Sequence, residues 1–235
     1  MVPLLIPAAG SGKRMGADCN KLLLPLLDRP ILQWTLEAVI GAKGIDWIGI
    51  IAQPHDMEAF TLIIENVYNI FGADKPVTLI EGGDTRQQSV FNGINALPHD
   101  TTQVLIHDGA RCLATPALFT RCVQALEVYK DFITAIPVKD TIKVVEENVI
   151  LETPNRLNLW SAQTPQGFVV NNLRRAHQQA LIKGWTATDD ASLVENLNLP
   201  VQVIVGEETN IKITTPFDLQ VAEMILKNRF SIKGS

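Results

Sequence analysis

The sequence predicts an α/β fold, a mostly parallel sheet flanked by helices on both faces, with a projecting β-arm late in the chain. Three observations carry this reading. Short β-rich runs alternate with amphipathic stretches up to about residue 138. The alternation then breaks into two successive strand patterns with no helix between them. Glycine-rich polar clusters follow several of the apolar runs. At 235 residues, 46% hydrophobic and 19% charged, the chain can bury a large core, and it reads as one domain, residues 1–235, with the arm at about 138–160.

The apolar run at residues 2–9 contains Pro3 and Pro7, lacks a basic leader and is too short to span a bilayer. It reads as a buried strand, and the protein as cytoplasmic. Strand-like runs follow at 47–52, 76–80, 103–108 and 132–138, separated by helical patterns around 30–42, 56–70, 84–96 and 116–130. Pro30 and Pro116 stand where a first helical turn begins, and Thr115 is a candidate N-cap. The stretch KDTIKVVEENVILETPNRL then reads as two alternating strands around a Glu146-Glu147-Asn148 turn. Helical patterns resume at 171–183 and 216–228, with strand-like VQVIV and IKIT between them.

A formal charge of -5 and a pI near 5.4 argue against broad electrostatic binding of nucleic acid, which needs a clustered basic surface. Any anion must therefore be gripped locally. Cys19, Cys112 and Cys122 show no CxxC spacing and read as reduced core thiols. His55, His99, His107 and His177 are scattered, which argues against a histidine-based metal site.

In open α/β sheets, ligands sit outside the carboxyl ends of the strands. Three polar clusters fall there: residues 10–21, 82–86 and 107–111. In the first, GSGKRMG, small residues and free N–H groups suit a phosphate, although the two common nucleotide patterns fail. A P-loop needs Gly at 7 and Ser or Thr after the lysine, where the chain has Pro7 and Arg14; the dinucleotide spacing needs Gly at 15, where it has Met15. Arg14 and Lys21 add phosphate-binding charge, against the plainer alternatives of a strand-to-helix turn and a snorkelling lysine in the apolar NKLLLPL. In GGDTRQQSV, Asp84 serves either a ligand or as a helix cap, and Ser89 either a ligand or the helix surface. Asp108 in HDGAR suits a metal–phosphate contact or an ordinary turn.

PAAGSGKRMG…NKLLLPL, GGDTRQQSV, HDGAR, PVKDTIK, NRLNLWSAQTPQGF, TDDAS and NIKITTPFDL occur in this order. Together they resemble the 2-C-methyl-D-erythritol 4-phosphate cytidylyltransferase family over nearly the whole chain. The resemblance implies a Rossmann-like nucleotidyltransferase fold and a homodimer built through the β-arm. It also implies Mg²⁺-dependent transfer of CMP from CTP to 2-C-methyl-D-erythritol 4-phosphate in the non-mevalonate isoprenoid precursor pathway, giving 4-diphosphocytidyl-2-C-methyl-D-erythritol and pyrophosphate. Carried over by motif, Ala8, Ala9, Gly10, Gly12 and Gly109 contact nucleotide, Arg14 and Lys21 hold the triphosphate, and Gly83, Asp84 and Ser89 surround cytosine and ribose. The acceptor phosphate lies near Arg111, Thr141, Arg156, Thr164 and Lys212, with Thr141 and Arg156 reaching in from the partner's arm and Asp108 beside the metal. Arg14, Lys21, Arg156 and Lys212 are the implied catalytic residues.

Two departures stand out: Gly109 where alanine is common in the family, and Thr209 before NIK where an aspartate is often seen. The second leaves a carboxylate or metal role there unsupported. A ribitol 5-phosphate cytidylyltransferase shares a similar loop, arm and TPQ element, and a nucleotide-binding regulatory module without turnover is the alternative of another class. Arg14, Lys21, Asp108 and Lys212 occurring together speak against the latter. The implied chemistry also suits the residues: an acceptor phosphate is already anionic and needs no general base, so positioning and cationic stabilisation can carry the rate.

Overall fold

A computed structural model describes residues 2–10, 19–72 and 74–233. The chain opens with β1 (Val2–Pro7), followed by a one-turn 3-10 helix at Lys21–Leu23 and a short hairpin of β2 (Pro25–Leu26) and β3 (Arg29–Pro30). Next come α1 (Ile31–Ile40), β4 (Ile45–Ala52), α2 (Met57–Phe71), β5 (Val77–Glu81), α3 (Arg86–Asn95), β6 (Gln103–Ile106) and α4 (Pro116–Leu126). The second half holds β7 (Phe132–Pro137), β8 (Val144–Glu146), β9 (Val149–Glu152), β10 (Trp160–Val169), α5 (Val170–Lys183), α6 (Asp190–Glu195), β11 (Gln202–Val205) and α7 (Pro216–Lys233).

Seven strands form the main sheet in the order β11-β7-β10-β6-β1-β4-β5. β1 pairs in parallel with β4 and β6, β4 with β5, and β11 with β7; β10 alone runs antiparallel, between β6 and β7. β1 is buried on both faces because alternate side chains enter different cores. Leu4 and Ile6 join residues of α1, α2, α4 and α7, whereas Leu5 joins residues of α3, α5 and α6. All three are fully buried, each stabilising the fold by roughly 1.5–3 kcal/mol relative to exposure.

The helix starts are locally encoded. Thr115 accepts a hydrogen bond from Leu118 N ahead of Pro116, as its position in the sequence predicts. α1 begins at Ile31, with Pro30 as its N-cap and no side-chain cap bond. For α3 the cap is Thr85, not Asp84: Thr85 Oγ1 accepts from Gln88 N at 3.1 Å, while Gln88 Oε1 accepts from Asp84 N at 3.1 Å. This reciprocal arrangement is a capping box shifted by one donor. Asp189 caps α6 by accepting from Ser192 N.

The structure corrects the sequence reading at several places. β10 is a ten-residue strand that the polar WSAQTPQGF run conceals, and its pairing with β7 breaks at Gln163/Gln166, on either side of Pro165. IKIT forms no strand, and α6 was not anticipated. Of the cysteines, Cys112 and Cys122 are buried, but Cys19 is exposed.

KDTIKVVEENVILETPNRL does contain two strands, β8 and β9, which pair only with each other around Glu147 and Asn148. Both turn residues have positive φ, 47° and 66°, the left-handed geometry of a tight hairpin turn. Every residue from 139 to 153 is exposed. At the base, Val138 N donates to Leu159 O at 3.0 Å and Trp160 pairs with Pro137, so both ends of the excursion meet.

Candidate active site

The ends of β1, β4, β5 and β6 open together onto a cleft of about 850 Å³. After β1 come Ala8, Ala9 and Gly10; after β4, Gln53, His55 and Asp56; after β5, residues 83–86; after β6, Asp108, Gly109 and Ala110. Lys21 and Lys212 complete the lining from the one-turn helix and from the segment before α7. Parallel pairing of these strands places their following loops at one edge, which is the physical reason the dispersed clusters converge.

Around Gly83, short side chains fix the backbone. Gly83 N donates to Ser89 Oγ at 3.0 Å, and Gly83 O accepts from Gln53 Nε2 at 3.0 Å. Ser89 is buried and also donates to Thr85 O at 2.8 Å, so it lies beneath the loop, not on the helix surface. A Cβ on Gly82 would stand 2.8 Å from Ala9 Cβ, so the loops after β1 and β5 approach as closely as small residues permit.

The charged centre is Asp108, whose Oδ2 lies 2.8 Å from Lys212 Nζ and 3.7 Å from Arg111 Nε, and whose Oδ1 lies 3.5 Å from Arg86 Nη2. Burial alone would raise its carboxyl, but Arg86, Lys212 and Arg111 outweigh that and hold it well below the usual carboxylate range. Arg86 Nη2 reaches Asp190 Oδ2 at 2.9 Å, and Asp190 Oδ1 accepts from His177 Nε2 at 3.2 Å. Burial opposes ionisation of Asp190 too; Arg86 and His177 reverse the balance and lower its pKa.

His107 lies behind this centre. Its Nε2 faces the carbonyl of Arg111 at 3.2 Å and must donate, so in the neutral ring Nδ1 is the acceptor, 3.1 Å from Thr164 Oγ1. Burial pushes its pKa down to about 4, which keeps the ring neutral near pH 7. Thr164 Oγ1 also accepts from Asp108 N at 3.0 Å. The interruption in β10 pairing thus sets a hydroxyl against the backbone of Asp108.

The segment carrying Lys212 is pinned at several points. Gln163 Nε2 donates to Glu207 O at 2.9 Å, and its Oε1 accepts from Glu207 N at 3.2 Å. Asn210 Nδ2 donates to Thr164 O at 2.8 Å, Arg111 Nη1 to Asn210 O at 2.8 Å, and Ile213 N to Ala110 O at 2.9 Å. Lys21 Nζ donates to Ile213 O at 2.9 Å. Thr209, the position of the second departure, uses its hydroxyl to accept from Arg229 Nη2 on α7 at 2.9 Å.

Of the residues singled out in the sequence, Ala8, Ala9, Gly10, Lys21, Gly83, Asp84, Ser89, Asp108, Gly109 and Lys212 line the cleft. Thr164 is buried behind it, and Arg111 is engaged with Asp108 and with the carbonyls of Asn210 and Ala162. Thr141 and Arg156 are exposed in the hairpin excursion, where Arg156 Nη1 donates to Lys139 O at 2.9 Å. Gly12 and Arg14 lie outside the described residues. Among the described residues, no group of three or more His, Cys, Asp or Glu is arranged to hold a metal, and no helix is long and apolar enough to cross a membrane. Sequence reasoning passed over Asp190, Gln53 and Asp56, and it gave no role to Arg86 and Asn20, although both fall within its polar clusters. The TDDAS motif carried a hint of Asp190, but its partner Arg86 is remote in sequence.

Comparison with known proteins agrees with this architecture. The family model described as 2-C-methyl-D-erythritol 4-phosphate cytidylyltransferase matches residues 2–228. A protein of that name from Thermosynechococcus vestitus is 57% identical over 227 residues, covering 96% of this chain and 95% of its own. One from Crocosphaera subtropica is 56% identical over 229 residues, covering 97% and 99%. Among solved structures, 4-diphosphocytidyl-2C-methyl-D-erythritol synthase from Anaerococcus prevotii superposes with a TM-score of 0.84 at 33% identity, covering 97% of this chain and 98% of its own. The 2-C-methyl-D-erythritol 4-phosphate cytidylyltransferase of Thermus thermophilus superposes with a TM-score of 0.76, also at 33% identity, covering 96% and 98%. With a glycine-lined cleft at the strand ends, and a family match and relatives that span almost the whole sequence, the chain belongs to the 2-C-methyl-D-erythritol 4-phosphate cytidylyltransferase family.

Proposed function

We propose that this protein transfers CMP from CTP to 2-C-methyl-D-erythritol 4-phosphate, giving 4-diphosphocytidyl-2-C-methyl-D-erythritol and pyrophosphate, in the supply of isoprenoid precursors. The observation that supports this most directly is the meeting of Lys21, Lys212 and Asp108 with the small-residue loops after β1 and β5 around one cleft, in a chain of this family. Ala8, Ala9, Gly10 and Gly109 present close backbone to the nucleotide, Gly12 is assigned to the same contact, and Gly83, Asp84 and Ser89 frame cytosine and ribose. Because Gly83 N already donates to Ser89 and Gly83 O already accepts from Gln53, the loop is held rigid before a base arrives.

Attack of an acceptor phosphate oxygen on the α-phosphorus brings two polyanions together, so charge repulsion is the main barrier. Lys21 and Arg14 are assigned to the triphosphate, and Lys212 and Arg111 to the acceptor phosphate. An oxygen nucleophile that is already anionic needs no proton removed, in keeping with a neutral, buried His107. The site fits a magnesium ion in a limited way: Asp108 is one cleft-lining carboxylate, and Mg²⁺ commonly takes one or two carboxylates together with substrate phosphates. Bound there, the cation would neutralise charge on the triphosphate, with Lys212 and Arg86 balancing the rest of Asp108.

Thr141 and Arg156 are assigned to the acceptor site of a partner subunit, in a homodimer formed through the hairpin excursion. The exposed Val144, Val145, Val149, Ile150 and Leu151 on the two hairpin strands support that assembly. The activity is tested by pyrophosphate release from CTP, UTP or ATP with methylerythritol 4-phosphate or ribitol 5-phosphate, with and without a chelator. Turnover with CTP and methylerythritol 4-phosphate alone, abolished by chelation, is expected. Equal use of UTP contradicts the cytosine assignment, and preference for ribitol 5-phosphate overturns the acceptor.

A further inference from the structure

Asn20 precedes Lys21 and is almost fully buried, with 4% of its surface exposed, although it borders the cleft. Its side chain is used at both ends. Nδ2 donates to Ala8 O at 2.7 Å and to Asp56 Oδ2 at 2.8 Å, while Oδ1 accepts from Leu22 N at 3.0 Å. The two amide hydrogens face two acceptors and the oxygen faces a donor, so the amide has one satisfactory orientation. Asp56 is itself 5% exposed and lies at the start of α2.

These bonds join three separate parts of the site. Ala8 directly follows β1 where the glycine-rich stretch begins, Asp56 follows β4, and Leu22 N belongs to the one-turn helix that carries Lys21. A single helical turn has little stability of its own and depends on such caps and tethers for its direction. At the other end of the lysine, Nζ is directed by Ile213 O.

We infer that Asn20, held by Asp56, is a positioning residue that aims Lys21 at the triphosphate. The inference rests on the functional reading above, in which Lys21 stabilises the transferring phosphate. Without the tether the lysine remains present but its turn loses its reference to β1 and β4. Interactions realised mainly in the transition state then weaken, which lowers kcat more than it raises KM.

Asn20→Ser separates tether from cap, because serine can still accept from Leu22 N but is too short to reach Ala8 and Asp56 together. Asn20→Asp keeps the cap and sets a carboxylate against two acceptors. Steady-state pyrophosphate release is measured for both, for Asp56→Ala and Asp56→Asn, and for each Asn20 variant combined with Lys21→Ala, alongside thermal unfolding. The expected result is a kcat about ten- to a hundredfold lower in Asn20→Ser and Asp56→Ala, the scale of a misplaced catalytic group, with KM for CTP changed less than about threefold. Asp56→Asn, which keeps an acceptor for Asn20, recovers most of the kcat lost in Asp56→Ala. In the Lys21→Ala background the Asn20 substitutions have little further effect on kcat.

Multiplicative losses in the double variants, or a raised KM with kcat intact, overturn the inference. So does a lowered melting temperature with undiminished kcat. The two readings separate cleanly: full turnover in Lys21→Ala removes the function assigned to Lys21, whereas an inactive Lys21→Ala beside a fully active Asn20→Ser removes only the positioning role.

Discussion

Replacing Arg86 with alanine leaves Asp190 buried, with 1% of its side chain exposed, without the cation 2.9 Å away. Removing one partner of a buried ion pair costs about 3–5 kcal/mol, because the other charge stays desolvated. Arg86 is 29% exposed, so water screens the pair in part and the low end applies, about 3 kcal/mol. For a chain of this size that lowers Tm by about 6–12 °C.

The effect depends on pH in a defined direction. With Arg86 present, the Asp190 pKa is lowered on folding. Its stabilisation is therefore complete above the unfolded aspartate value of about 3.9 and is lost as pH falls through the folded value. In Arg86→Ala that advantage is absent, so the Tm gap between the two proteins stays wide from neutrality down to about pH 4 and narrows only as pH falls below that. Adding Asp190→Asn to Arg86→Ala removes the stranded charge and restores part of the loss. Thermal unfolding of the single and double variants at about pH 7.5 and about pH 3 tests this. A Tm within about 2 °C of the parent at neutrality, or no recovery in the double variant, refutes the reasoning.

Lys21→Ala should reduce kcat by roughly a hundred- to a thousandfold, the cost of removing one fixed donor from a charged transition state, while unfolding stays close to the parent; near-normal turnover contradicts its role. Gly109→Ala places a Cβ 2.8 Å from Leu22 Cδ1 and 3.2 Å from Ile6 Cγ2. Leu22 must therefore shift, at a cost of about 1 kcal/mol, the low end for overpacking because the atom that gives way is a side-chain tip; urea unfolding measures it, and an unchanged midpoint refutes the crowding. Mixing Lys21→Ala with Arg156→Ala chains should restore roughly a quarter of all sites if each site draws Arg156 from a twofold partner; mixed dimers without recovered pyrophosphate release rule out a shared site.

Much of the fold follows from local rules that act within a few residues. The all-apolar β1, the capped start of α4 and the two-strand pattern around Glu147 and Asn148 each carry their instructions in adjacent side chains. β10 does not, because its inward positions hold Gln163, Thr164 and Gln166, all buried and polar, and Pro165 looks like a stop. Those polar groups serve the site, so strand periodicity was set aside where function needed hydrogen bonds. The same division runs through the cleft. Glycine-rich loops are visible as short motifs, but Asn20 meets Asp56 across 36 residues, and Arg111 meets Asn210 across 99. Contacts of that span are created by the sheet order, and no local pattern announces them.

The hairpin excursion leaves and re-enters the sheet at neighbouring points, closed by the pairing of Pro137 with Trp160 and the bond from Val138 to Leu159. To the seven-strand sheet it therefore behaves as a long loop across an already formed β7–β10 connection. Loop-closure entropy grows only with the logarithm of length, so residues can be added, removed or exchanged there with little effect on the main cores. Acceptor recognition assigned to Thr141 and Arg156 thus occupies a portable cassette, whereas the nucleotide loops are built into strand ends that the fold cannot do without. On the proposed assignment, this share of acceptor recognition can vary while the donor pocket, and the share of the acceptor site given to Lys212, stay fixed.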